Sequence, residues 1–191
     1  MVSNEEISVN KRNGRGKESL QIDKIHAMVG FATEGITGVS ASHVEMNSGI
    51  QLFDGISTAD IQQILIKSAN DLITLENPNY QYVAARLLLF SLRKQLFHRL
   101  WDHPKLIDHI KKLIDMGLYD KDILVNYDES EIDRMDMWID HERDYNFTYA
   151  GLRQVMDKYL VQDRSTGDIF ETPQFMYCLL YTSPSPRDIG P

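Results

Sequence analysis

The stretch VNKRNGRGKESLQIDKIH, residues 9–26, gathers the most suggestive polar chemistry of the chain. Lys11, Arg12, Arg15 and Lys17 surround one glycine-rich turn with no acid among them. Glu18 and Gln21 follow, and Asp23 and Lys24 open a helical pattern. Lysine and arginine hold phosphate oxygens, and a helix start adds backbone N–H groups and a partial positive charge. Carboxylate and amide side chains beside an apolar slot can select a base. These are the ingredients of a nucleoside triphosphate site. Read alone, the same pattern also describes a solvated surface turn, which is the commoner arrangement. Neither the G-x-x-x-x-G-K-[ST] phosphate loop nor the G-x-G-x-x-G dinucleotide fingerprint occurs in this stretch.

The elements that must position these groups follow from periodicity. Residues 7–12 alternate apolar and polar, which predicts a strand. RNGRG is a turn, and residues 17–21 return as a second strand with Leu20 inward. Asp23 is expected to cap a helix that carries Ile25, Met28, Val29, Ala32 and Ile36, with Gly35 as its stop. A shorter helix fits residues 41–52. Ser57-Thr-Ala-Asp60 resembles a capping box with Asp in place of Glu. Behind it Ile61, Ile64, Leu65, Ser68, Ala69 and Leu72 share one helical face. Pro78 stands just inside the next helix start, and residues 80–100 form the most apolar helix. The hairpin and four helices make a closed unit over residues 5–96. Beyond WDHP, helices are expected at 105–117, 120–126, 129–139 and 148–160. YLVQDRSTGDIF then reads as a second hairpin, and TPQFMY opens a helix that the tail cuts off.

The 191 residues suffice for a sizeable core, and the net charge of −8 argues against a general nucleic-acid binder. No apolar run approaches a membrane span and residues 1–12 lack a signal-peptide apolar region, so the expected compartment is the cytoplasm, with no membrane partner. The single cysteine, Cys178, lies in CLLYTSPSPRD, residues 178–188, which reads as the translation of a sequencing-library adapter. The natural sequence is therefore expected to end near Tyr177, with 178–191 an artefactual tail, and the remainder has no cysteine for disulfide, thiol or zinc–thiolate chemistry. His98, His103 and His109 lack zinc-site spacing and read as surface or helix-end residues, so no metal is expected. DHERD, Asp140 to Asp144, reads as a charged helix junction. In the acidic segment 128–140, Ile132, Met135 and Trp138 are expected to face the core.

VNKRNG…ESLQIDKIH, DGISTADIQQILIKSANDLI, NPNYQYVAARLLLFSLRK and DHERDYNFTYAGLRQVMDKYLVQDRSTGDIFETPQFMY, in that order over residues 7–177, closely resemble the N-terminus of the class I ribonucleoside-diphosphate reductase large (alpha) subunit. The resemblance implies a mainly α chain. An ATP-cone, a β-hairpin lid on a four-helix bundle, covers residues 5–96. The truncated start of the reductase helical region, with its short hairpin, covers 97–177. It implies ATP or dATP as allosteric effector, accompanied by Mg, setting the overall activity of deoxyribonucleotide synthesis. Carried over by motif, Val9, Lys11 and Arg12 contact the nucleotide and its phosphates. The run Glu18, Ser19, Leu20, Gln21, Ile22, Asp23 and Lys24 recognises the base and, through Lys24, the phosphates. Thr58 lies near the sugar and phosphates, Gln62 one turn further on, Phe90 walls the pocket and Lys94 binds phosphate. Three departures stand out: one extra residue in the hairpin turn, Gln21 where Asn is frequent, and Gln62 where many members have a histidine tied to telling ATP from dATP. Glutamine cannot titrate or offer an imidazole, so the match implies ATP or dATP binding and leaves dATP inhibition open.

In the full-length family a homodimer partner and a radical-generating small subunit are implied, with a catalytic cysteine set in a barrel. No cysteine precedes Tyr177, so this chain alone is expected to be inactive and to have no catalytic residue or catalytic cofactor. The alternative is a stand-alone ATP-cone protein that senses nucleotides or serves interactions.

Overall fold

A computed structural model describes residues 8–11, 16–49, 55–99 and 101–182. The chain divides into two compact units. The first comprises residues 1–91 with 147–152, the second residues 92–146 with 153–191.

The first unit opens with β1 (Ser8–Asn10) and β2 (Lys17–Ser19), antiparallel with Val9 opposite Glu18 and Asn10 opposite Lys17. Lys11 N–H donates to the Gly16 carbonyl and closes the ladder. Ile7 and residues 12–15 of the expected turn lie outside the described residues. α1 (Ile22–Thr33) follows almost directly. Its cap is Gln21, whose side chain makes no capping bond, and Asp23 sits inside the first turn, so the expected Asp23 cap is not what forms. Only Leu20 and Gln21 separate strand from helix, which fixes the start before Asp23 is reached. α2 (Ala41–Ser48) ends at Gly49, whose φ of 51° is left-handed. The helix therefore stops short of the expected residue 52, and residues 50–52 lie outside the described ones.

α3 (Thr58–Asp71) starts as the sequence predicts: Ser57 Oγ accepts from Asp60 N–H and donates to the Asp60 carboxylate at 2.7 Å. Ile61, Leu65, Ser68 and Ala69 are buried along its inner face, and so is Gln62. α4 (Tyr80–Phe97) contributes Val83, Ala84, Leu87 and Leu89, none of them accessible. Pro78 and Asn79 form a turn just before α4 rather than its first residues. Val29 and Ala32 of α1 and Val44 of α2 fill the same core. Polar ties pin the helices in register. Ser68 Oγ donates to the Val44 carbonyl at 2.6 Å, Arg86 to the Glu34 carbonyl at 2.6 Å, and the Ser40 N–H donates to the Tyr80 hydroxyl at 3.1 Å.

The second unit is built on α5 (Leu106–Asp115), α6 (Ile123–Asn126), α7 (Glu129–Asp136), a 3-10 turn (His141–Asn146), the later part of α8 (Tyr149–Lys158), the hairpin β3 (Gln162–Asp163) and β4 (Asp168–Ile169), and α9 (Pro173–Thr182). Its core joins Leu106, Ile107, Ile110, Ile132, Met135 and Phe175. α7 carries a full capping box between Asp128 and Glu131. Trp138 is 73% exposed, against the expectation of a core position, because α7 ends at Asp136 and the helical face it would have shared ends with it. α9 runs through Cys178 to Thr182, so the helix opened by TPQFMY is not cut at Tyr177.

His98 is exposed at the end of α4, as expected, but the other two expected surface or helix-end histidines depart from that reading. His109 is 3% exposed and stacks on Phe175, and His103 stacks on His141 with ring centroids 3.7 Å apart. Burial lowers the pKa of His103 and His109 to about 4 and that of His141 to about 3. Beside them Arg93, 2% exposed, donates to the Tyr145 hydroxyl at 2.8 Å and the His141 carbonyl at 2.6 Å, and pairs with Asp144 at 3.7 Å. The DHERD junction is thus charged but not wholly solvated: Asp144 is 1% exposed. Among the described residues no group of three or more His, Cys, Asp or Glu could hold a metal ion, and no helix is long and apolar enough to cross a membrane.

Candidate functional site

In an antiparallel pair, directly opposed residues share a face, and so do residues two apart on one strand. Val9 opposes Glu18, and Lys11 lies two beyond Val9, so all three belong to one face of the hairpin. Val9 is 3% exposed, which identifies this as the face turned toward the unit's interior. Lys11 and Glu18 stand at its edge, with side chains 46% and 34% exposed. The Glu18 carboxylate lies 3.1 Å from Lys11 Nζ and 3.9 Å from Lys24 Nζ. Lys24 comes from the first turn of α1. Two strands and a helix start therefore converge two ammonium groups on one carboxylate.

The other edge of β1 is tied to the approach to α3. Asn10 N–H donates to the Ile56 carbonyl at 3.0 Å, and Gly55 N–H to the Ser8 carbonyl at 2.8 Å. Asn10 and Ser57 form a parallel bridge, and Asn10 Nδ2 donates to the Gly55 carbonyl at 2.6 Å. One residue past that bridge on each strand stand Lys11 and Thr58, so the N-terminus of a 14-residue helix is fastened next to the lysine. Thr58 is half-buried there. The helix start contributes the positive end of its dipole. Asn10 and Gly55 were not singled out from the sequence, and Ser57 was read there only as a helix cap. Their signal was the Asp-Gly turn just before the capping box, which reads only as a loop until its pairing with β1 is known.

Around this core Ser19, Gln21, Ile22 and Asp23 are exposed and Leu20 is half-buried, all between Glu18 and Lys24. Arg12 lies outside the described residues. Two further expected contacts lie buried. Gln62 is 2% exposed and its Nε2 donates to the Leu87 carbonyl of α4 at 2.9 Å, joining two helices. Phe90 is 1% exposed among the α4 residues that fill the bundle. Lys94 is half-buried one turn further along α4, in the second unit. In the first unit Lys11, Lys24 and Glu18 thus gather on the hairpin beside the α3 start, next to the buried Val9. Such an arrangement can hold a polyanion.

Residues 7–95 match the ATP cone domain. The chain is 47% identical over 177 residues to ribonucleoside-diphosphate reductase 1 subunit alpha of Escherichia coli K12, covering 93% of this chain and 23% of that protein. It is 47% identical over 180 residues to the corresponding alpha subunit of Haemophilus influenzae, covering 94% and 24%. Against the alpha subunit of Enterobacteria phage T4 it is 43% identical over 171 residues, covering 90% and 22%. The chain spans about a quarter of the length of the curated relatives it matches. It carries an ATP cone domain and, over nine-tenths of its length, belongs with the alpha subunits of ribonucleoside-diphosphate reductase.

Proposed function

We propose that residues 5–96 are an allosteric module that binds ATP or dATP, and that residues 97–177 begin the helical region of a ribonucleoside-diphosphate reductase alpha subunit. The convergence of Lys11 and Lys24 beside the α3 N-terminus carries this reading. Phosphate oxygens take the place of the carboxylate between the two lysines and accept from the α3 start. The family resemblance adds Arg12 to the phosphate contacts, and Mg accompanies the triphosphate. The base is held along residues 18–23, with Gln62 and Phe90 supporting the pocket from within the bundle.

In the whole protein, occupancy controls reduction of ribonucleoside diphosphates. It can do so only if the nucleotide binds one assembly of the alpha subunits, with each other or with a radical-generating partner, better than another. The regulatory module itself performs no chemistry. Calorimetric titration of the chain with ATP, dATP and GTP tests the reading: saturable binding of the adenine nucleotides in preference to GTP supports it, and no binding of ATP or dATP at millimolar concentration rejects it.

A further inference from the structure

A salt-bridged carboxylate in the middle of a site meant for phosphate needs its own account. Glu18 splits its two oxygens, Oε2 toward Lys11 and Oε1 toward Lys24. Its backbone is fixed by the ladder opposite Val9, the most buried residue of the hairpin, so the carboxylate cannot withdraw by sliding the strand without unseating the core. The side chain is about one-third exposed, which leaves it free to rotate away. Lys11 and Lys24 are more exposed still, and among the described residues no other ion pair engages them. A polyanion that uses these lysines therefore meets a resident negative charge that must be displaced.

Resting on the nucleotide reading above, we propose that Glu18 is a built-in competitor for the phosphate positions, an internal counter-ion that sets how tightly the site holds a polyphosphate. Three consequences follow. Without Glu18 the two lysines repel each other and their side chains spread; with it they are held about one carboxylate apart, close to the span of a phosphate group. A ligand must exchange one set of ion pairs for another, so the gain on binding is smaller than two free lysines would give. A monoanion, which offers no more charge than Glu18 itself, does not win the exchange, while a triphosphate does. The residue thus filters for highly charged ligands.

The test is calorimetry on the full chain with inorganic tripolyphosphate as the probe and ATP as the reference, at low ionic strength. Glu18→Gln keeps the size and removes the charge. It is expected to tighten tripolyphosphate binding roughly fivefold, the scale on which partly exposed ion pairs act. Added salt should shrink that gain, because both the resident pairs and the incoming ones are screened. Glu18→Asp keeps the charge on a shorter side chain and should stay within about twofold of the parent. If Glu18→Gln leaves tripolyphosphate affinity unchanged or weaker while the parent chain binds ATP, the competitor role is overturned and the nucleotide site stands. If Glu18→Asp tightens binding as much as Glu18→Gln, the effect is not one of charge and the role is likewise overturned. If the parent binds neither ATP nor tripolyphosphate, the nucleotide reading fails and takes this inference with it.

Discussion

Gln62 decides between two physical roles for the third helix. It sits one turn into α3, 2% exposed, with Nε2 donating to the Leu87 carbonyl of α4 at 2.9 Å. If its work is to join the two helices, replacing it costs stability. Gln62→Met keeps the length and apolar stem but loses the amide bond, a cost of about 1 kcal/mol. Gln62→Ala also empties the space of two methylenes and an amide in a close-packed interior. Lost transfer, cavity and hydrogen bond together come to about 3 kcal/mol. For a unit of this size each kcal/mol moves the melting midpoint by roughly 4–8 °C, so the alanine variant should melt more than 10 °C lower, by the same scaling. Thermal unfolding followed by far-UV circular dichroism measures the shift, and calorimetry with ATP on the same samples below the transition measures binding. ATP affinity is expected to hold within about threefold in Gln62→Met, since the amide is spent on α4. Unchanged stability with ATP binding lost in Gln62→Met would refute the strut role and make the amide a ligand contact.

Other perturbations follow from single features. Arg93→Met leaves Asp144 buried without its cation and should destabilise the second unit by about 3–5 kcal/mol, much of it recovered when Asp144→Asn is added; denaturant titration of both variants checks this. His109 titrates near 4 in the fold against an ordinary value of 6.5, so the unfolded chain binds its proton first. Stability is complete above about pH 6.5 and falls as pH drops toward 4, by about 3 kcal/mol for His109 over the whole window. His103 and His141 act in the same direction, and Asp144, raised by burial to about 6, acts against them because its folded form takes up a proton first. Urea midpoints between pH 7 and 4 should show a smaller loss in His109→Gln than in the parent. Gly55 has φ of +88° where the chain pairs with β1, and an added Cβ would meet only Asn10 Nδ2 at 3.7 Å. Gly55→Ala should therefore cost about 1 kcal/mol of backbone strain, read from thermal unfolding, and loosen the hairpin's tie to α3.

Much of this architecture is legible in residue order. The alternation of Ser8, Val9 and Asn10, the capping box at Ser57 and the apolar run of α4 are local signals, and local signals fix local structure. The Ser-Thr-Gly-Asp turn likewise announces the β3–β4 hairpin. What the order of residues does not announce is which groups meet across it. The β1 link to residues 55–57 joins segments 45 residues apart and depends on the chain's return, not on either segment's pattern. His103, His109 and His141 look like helix-end polar residues until Phe97 and Phe175 enclose them, because burial of a neutral imidazole leaves no periodic mark. Arg93 reads as one more cation at the end of α4, although a second segment buries it. Trp138 misleads in the opposite sense: its spacing continues an apolar face beyond the residue where the helix stops. Within the candidate site, Lys11, Glu18 and Lys24 stand out by charge and Thr58 only through the family resemblance, whereas the inward turn of Gln62 required knowledge of what α4 packs against.

The central claim is that an adenine triphosphate is held by the two lysines that flank Glu18. Its most direct test is calorimetric titration of ATP into the parent chain and into the Lys11→Ala/Lys24→Ala variant, with circular dichroism confirming that both are folded. Each charge-assisted contact is worth about 1.5–3 kcal/mol, so the double variant should bind ATP at least a hundredfold more weakly, by the same measure. A folded double variant with the parent's ATP affinity would contradict the account.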